Sequence, residues 1–313
     1  NYDTQVTINV NDINDSLNNN AQSIDGLAAD DWAGWSVAPA GDVNGDGFDD
    51  IIVGSPQADV FRNDGTFMYE DNGAAYILFS DATGTFPSLT EVKGGTRGFG
   101  IMGAESGDNA GFSVAGGVDI NGDGLSDVVV GAPYAGTNGD YSGSTYVVFG
   151  KSDTNYVPLQ YLNDGSSDDG FAIHGAYTQD YSGGTLVVGD VNGDGLGDIV
   201  IGETVTRFLA GTGSFELRDL LEDGTADPNL AYVVYGKTDN NVVQLANVTA
   251  DYNEQGFAIT RPNRKLFSEW HYGAQVLPTG DFNSDGLMDF IVSHGLFVDT
   301  SGTSYVVYGR IGG

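Results

Sequence analysis

The sequence predicts an all-β protein, a β-propeller of four repeated units that each form a small sheet of four antiparallel strands. Three observations carry that expectation. An acidic loop followed by a β-branched run recurs as AGDVNGDGFDDIIVGSP from Ala40, GVDINGDGLSDVVVGAP from Gly117, VGDVNGDGLGDIVIGE from Val188 and TGDFNSDGLMDFIVSHG from Thr279. A second element follows each loop: AAYILFS from Ala74, STYVVFG from Ser144, LAYVVYG from Leu230 and TSYVVYG from Thr303. Between these marks apolar and polar residues alternate, and Gly, Asn and Asp cluster at the breaks, as in short strands joined by turns.

The lead aspartates Asp42, Asp119, Asp190 and Asp281 stand 77, 71 and 91 residues apart. That period exceeds most solenoid units and suits one four-stranded propeller blade with its loops. In the first unit, strands are expected at Trp35 to Ala40, Asp50 to Ser55, Ala74 to Phe79 and Phe99 to Gly103. The fourth of these recurs in GFAIHGA from Gly170 and GFAITRP from Gly256, and the last unit has no counterpart before YGRIGG. At the other end, AQSIDGLAADDWAG from Ala21 aligns with FAIHGAYTQDYSG from Phe171. A strand at Ser23 to Gly26 is therefore expected to complete the last blade and close the ring, the alternative being an open array or a larger propeller completed by a partner. The blades then occupy about 35–103, 111–175, 184–260, and 273–309 plus 21–26 of a domain 16–313, with 1–15 a linker or the end of a preceding module.

Composition narrows the function classes. Lys and Arg total 11 against 44 Asp and Glu, for a net charge of -33, which repels nucleic-acid phosphates and anionic lipid heads and favours divalent cations as counterions. Without cysteine there is neither a disulfide framework nor a thiolate metal site. No apolar run reaches the roughly 18 to 20 residues that span a bilayer, and the chain opens on NYDTQVTINVNDIND rather than on a basic and then apolar leader.

Each acidic loop places oxygen-bearing side chains at relative positions 1, 3, 5 and 9, with glycine at 6 for the sharp turn. Odd spacing on a tight loop turns alternate side chains toward one centre, and oxygen-only donors select a hard cation such as calcium. The expected ligands are Asp42, Asn44, Asp46 and Asp50; Asp119, Asn121, Asp123 and Asp127; Asp190, Asn192, Asp194 and Asp198; and Asp281, Asn283, Asp285 and Asp289. Backbone carbonyls at position 7, from Phe48, Leu125, Leu196 and Leu287, are expected to fill the shell, giving about four Ca2+ ions. An EF-hand is excluded, because its Glu at position 12 is replaced by Val53, Val130, Ile201 and Val292 inside strands.

On GFGIMGAESGDNAGFSVAGG, DINGDGLSDVVVGAP and GSTYVVFG, the chain resembles the FG-GAP repeat family of integrin α-subunit propellers and their bacterial relatives, over about Ala21 to Gly309. The resemblance implies calcium in the loop joining the first two strands of each blade, and adhesion or recognition outside the cell or at its surface. The familiar integrin ring has seven blades, whereas four units are present here. TQVTINVNDIND resembles the end of a cadherin-like repeat of the kind strung along large bacterial adhesins, which implies neighbouring modules and a bacterial source.

In an up-and-down blade the calcium loops own one face and the irregular insertions the other. The third unit concentrates these insertions in ETVTRFLAGTGSFELRDLLEDGTADPN, where a short helix is expected over Ser214 to Leu221, and in TRPNRKLFSEWHYG. The latter holds Arg261, Arg264 and Lys265, three of only 11 basic residues, beside Trp270 and His271. A basic, aromatic patch on an acidic molecule suits a glycan or peptide ligand. Trp32 and Trp35, at the entry to a strand, are assigned to packing. His174, His271 and His294 fall in different repeats without a nucleophile or zinc partner, and no G-x-S-x-G or HExxH motif occurs. The expected function is a calcium-stabilised binding module rather than an enzyme, with a polysaccharide-active enzyme and a structural spacer as alternatives.

Overall fold

The computed structural model describes residues 22–61, 67–69, 71–203, 206–209, 214–217, 229–248, 254–260, 271–296 and 303–311. Strands Ser36–Gly41, Asp50–Ser55, Ala74–Leu78 and Gly98–Met102 pair in chain order as an antiparallel meander, the first blade. The second blade repeats this with Ser113–Val118, Asp127–Ala132, Ser144–Val148 and Gly170–His174. A third meander follows, of Ser182–Gly189, Asp198–Glu203, Asn229–Val234 and Gly256–Thr260. The fourth sheet has three strands among the described residues, His271–Gly280, Asp289–Leu296 and Thr303–Val307.

Apolar runs such as VVVG need no polar alternation here, because both faces of the inner sheets are buried. Ile52, Ile77 and Phe99 of the first blade pack with Val128, Val130 and Tyr146 of the second. On its other face the second blade sets Val129, Val147 and Phe171 against Ile199, Ile201 and Tyr232 of the third. The third in turn buries Val200 and Val233 with Phe290 and Val292 of the fourth. Each such side chain contributes about 1.5–3 kcal/mol when fully buried, so the blade-to-blade seams are the core of the molecule. Two short strands bridge the outer edges. Val157–Pro158, from the second blade's third-to-fourth connection, pairs in parallel with Ile101 and Met102, and Val243–Gln244 does the same to Ile173 and His174.

The expected closing strand at Ser23 to Gly26 does not form. These residues are in no strand; Ile24 and Leu27 bury their side chains on the outer face of the first blade, with Val53, Tyr76 and Leu78. A helix Leu89–Lys93, closed by a Ser88/Glu91 capping box, adds Leu89 and Val92 to the same cluster. Inner strands stack first on second, second on third and third on fourth. The end blades each expose part of a first strand, Val37 on the first being 66% exposed and Leu277 on the fourth 46%, while the rest of the first blade's outer face lies under Ile24, Leu27 and the helix. The described residues are thus an open array of blades, the expected alternative to a closed four-blade ring. A second correction falls in the third blade's insertion, where Ser214–Leu217 is a strand paired antiparallel with Thr206–Leu209 rather than part of a helix.

Candidate functional site

All four acidic loops leave the end of a first strand and lie on one face of the array. Their backbones are shaped by left-handed residues at positions 4 and 6, Gly45 and Gly47 in the first loop, with Ser284 (φ 61°) standing where the other three loops have glycine. The lead aspartate caps each turn. Asp42 accepts the N–H groups of Gly45 at 2.8 Å and Gly47 at 2.9 Å; Asp119, Asp190 and Asp281 accept from Gly124, Gly195 and Gly286. In every loop the position-3 amide donates to the position-5 carboxylate, as Asn44 does to Asp46 at 3.0 Å. Phe48, Leu125, Leu196 and Leu287 at position 7 donate their N–H to the same carboxylate.

The aspartates at position 9 do something the spacing did not announce. Asp50, Asp127, Asp198 and Asp289 are at most 1% exposed. One oxygen of each accepts the N–H at position 2, from Val43, Ile120, Val191 or Phe282 at 2.7 to 3.1 Å. The other accepts an N–H just beyond the third strand, from Ser80, Gly150, Gly236 or Gly309 at 2.8 to 2.9 Å. Each is therefore a clamp that ties its loop to the third strand of the blade. Burial pushes the carboxyl of Asp50 up to about 6 and those of Asp127 and Asp198 to about 7, against the downward pull of the donated N–H groups. Neighbouring loops are also linked, since Ser126, Gly197 and Met288 donate N–H to the main-chain oxygens of Asp42, Asp119 and Asp190.

The donor set is all oxygen, and a carboxylate oxygen that accepts one N–H keeps a second lone pair, so the chemistry of each loop fits a hard cation. Among the described residues the carboxylates are not gathered into a three-residue cage; positions 1, 3 and 5 face their own backbone and one another.

On the opposite face, six aromatic rings from two blade junctions form a continuous ladder. Trp32 stacks on Trp35 at 5.2 Å, Trp35 meets Phe112 at 5.5 Å, and Phe112 meets Tyr134 at 6.0 Å. Tyr134 touches Tyr181 at 5.6 Å and Tyr141 at 6.1 Å, and the latter two stack within 8° of parallel. Trp32 and Trp35 pack as the sequence suggested, against each other and, through Trp35, against Phe112, with Trp35 left 44% exposed. A cavity of about 80 Å³ beside the ladder is lined by Trp32, Gln57, Asp71, Asn109, Phe112 and Tyr134. The available signal was positional: Trp32, Asn109 and Tyr181 occupy one repeat position, and all three are left-handed, at φ 56°, 55° and 50°.

Of the expected ligand patch, Arg261, Arg264, Lys265 and Trp270 lie outside the described residues, and His271 opens the strand His271–Gly280, its backbone paired with Leu296. His174 is structural, as expected: it is buried, lies 3.0 Å from Ser144 Oγ through Nδ1, and is held below the usual imidazole pKa by burial.

The FG-GAP repeat family matches residues 33–78 and 110–148. The chain is 33% identical over 179 residues to integrin alpha pat-2 of Caenorhabditis elegans, an alignment covering 55% of this chain and 13% of that protein. It is 31% identical over 169 residues to phosphatidylinositol-glycan-specific phospholipase D of Rattus norvegicus, covering 54% and 18%, and 34% identical over 132 residues to integrin alpha-PS2 of Drosophila melanogaster, covering 42% and 9%. The chain thus spans less than a fifth of the length of these curated relatives. Residues 33–78 and 110–148 are FG-GAP repeats, and the blades that hold them belong to an all-β repeat array whose acidic loop recurs at 190–198 and 281–289.

Proposed function

We propose that the chain is a calcium-stabilised binding module, working outside the cell or at a bacterial cell surface, that takes a glycan or peptide ligand on the face opposite its acidic loops. One observation carries the reading: the two faces are chemically segregated, with four oxygen-rich loops on one and, on the other, an aromatic ladder that is exposed at Trp35, half-buried along most of its length and buried at Tyr181. Calcium would be held by the side chains at positions 1, 3, 5 and 9 of each loop and by the position-7 carbonyl. Bound there, the ion would offset the repulsion among three carboxylates and fix the loop that the buried aspartate clamps to the third strand. The basic loop from Arg261 to His271 would border the ligand face from the third blade. Residues 1–15 would join the array, 16–313, to a neighbouring module.

Calcium at 100 times its dissociation constant should stabilise the fold by about 2.7 kcal/mol per independent site. Native mass spectra should count up to one ion per loop, and a melting temperature indifferent to a chelator would sink the calcium assignment. For the ligand, glycan and peptide arrays probed with calcium-loaded protein should yield binders whose signal drops for Trp35→Ala or Arg264→Ala, with stability moved by no more than about 0.5 kcal/mol in Arg264→Ala and lowered by about 1–3 kcal/mol in Trp35→Ala, which loses two ring contacts. Binding untouched by both substitutions would move the site elsewhere. The phospholipase D relative supports a second reading, an accessory module of an enzyme; turnover of a bound glycan or lipid by the chain itself would favour catalysis over both.

A further inference from the structure

Each acidic loop is wired to the next by a relay of two peptide groups. In the first pair, the N–H of Ser126 in the second loop donates to the main-chain oxygen of Asp42 at 3.0 Å. That oxygen belongs to the peptide group Asp42–Val43, whose own N–H donates to the buried carboxylate of Asp50 at 3.1 Å. The N–H of Ser126 belongs in turn to the peptide group Leu125–Ser126, whose carbonyl is the position-7 oxygen of the second loop. Two peptide groups therefore connect the position-9 carboxylate of one loop with the position-7 carbonyl of its successor. The relay recurs at both later junctions. Gly197 donates to Asp119 at 2.7 Å and Ile120 to Asp127 at 2.7 Å; Met288 donates to Asp190 at 2.8 Å and Val191 to Asp198 at 2.8 Å.

Side chains seat the relay. The position-7 leucine of each later loop lies on the position-4 glycine of the loop before it: a Cβ at Gly45, Gly122 or Gly193 would come within 3.0, 3.2 or 3.0 Å of the Cδ2 of Leu125, Leu196 or Leu287. Position-2 oxygens join the same junctions, Ile120 accepting from Lys237 at 3.0 Å and Val191 from Arg310 at 2.8 Å. At the two ends the pattern stops. Phe48, at position 7 of the first loop, is exposed, and Ser284 replaces glycine at position 4 of the fourth.

We infer, on the calcium assignment proposed above, that the four loops load calcium as one coupled row, each filled loop raising the affinity of its neighbours. The cause is ordering. When positions 7 and 9 of a loop close on an ion, the peptide that carries the position-7 carbonyl is fixed, and with it the lead residue of the preceding loop. The neighbour then has less conformational freedom left to lose when it binds. Repulsion between ions opposes this but is screened, because stacked sheets lie about 10 Å apart and the Debye length at physiological ionic strength is about 8 Å. The coupling is reciprocal, so loading can begin at any loop.

The test is a calcium titration of the full chain, with the metal alone as ligand, followed by calorimetry and native mass spectrometry. At half-saturation, partly loaded forms should fall below the proportions given by independent sites, and each ion should raise the affinity of an adjacent loop about 5-fold or more. Leu196→Ala keeps every ligand oxygen and should still take one ion per loop, but less cooperatively, since it unseats the peptide that joins the second loop to the third. One ion per loop taken up independently, or with falling affinity, overturns the coupling and leaves the calcium assignment standing; uptake of no calcium overturns both. A Leu196→Ala chain that folds and loads as cooperatively as the unaltered one also overturns the relay. If that variant does not fold, the loading pattern of the unaltered chain decides alone.

Discussion

Asp127→Ala should destabilise the protein by about 2–6 kcal/mol even after calcium has been stripped away, because it leaves the buried N–H of Ile120 and the half-buried N–H groups of Asn121 and Gly150 without this acceptor. In calcium the same variant should also lose one ion in native mass spectra. The two effects are separable by Asp127→Asn, whose amide keeps one acceptor oxygen and loses the charge. Exposed Asp153, which pairs with Lys151 at 3.3 Å and sits in no acidic loop, is the control, and Asp153→Ala should move stability by no more than about 1 kcal/mol. Equal losses for Asp127→Ala and Asp153→Ala in chelator would remove the clamp from the description of the fold.

The second large effect is on pH. Asp127 and Asp198, raised by burial to about 7, and Asp50, raised to about 6, bind protons more tightly in the folded chain than in the unfolded one. Their contribution to stability is complete below about pH 4 and is lost as pH rises through about 6 to 7. Asp108, outside the loops and raised by burial to about 7, adds to the same trend. Metal-free protein should therefore lose on the order of 5 kcal/mol between pH 5 and pH 8. Saturating calcium, which favours the ionised carboxylates, should recover most of that loss at pH 8. Thermal melts across this range in chelator and in calcium give the comparison, and a metal-free melting temperature that is flat or rising with pH would contradict the assignment.

The strand pattern was legible because it follows from local rules. Gly–Asn–Asp punctuation and alternating or β-branched runs placed Asp50–Ser55 to the residue and the other three strands of the first unit to within one residue at each end. The loop ligands were legible as a set of oxygens, since position and residue type fix donor chemistry. Whether position 9 also carries a structural load was not, because its partners, Ser80, Gly150, Gly236 and Gly309, are 20 or more residues away in sequence. The closing strand failed for a similar reason. Ser23 to Gly26 matches its sibling locally but lies in no strand, with Ile24 and Leu27 half-buried against Val53, Tyr76 and Leu78 of the first blade, far away in sequence. The aromatic ladder escaped notice because its members come from separate blade junctions, and only the turn geometry at Trp32, Asn109 and Tyr181 brings them together.

The bridging strands Val157–Pro158 and Val243–Gln244 bear on how the chain acquires its fold. A blade whose outer strand is Gly98–Met102 or Gly170–His174 has unpaired edge groups until the first three strands of the next unit have been laid down. The cooperative unit is therefore longer than the repeat, one blade plus the first three strands of its successor, and neighbouring units are coupled in folding as well as in packing. An amide-exchange experiment should find the first and second sheets opening together, with the 98–102 amides no better protected than those of 157–158.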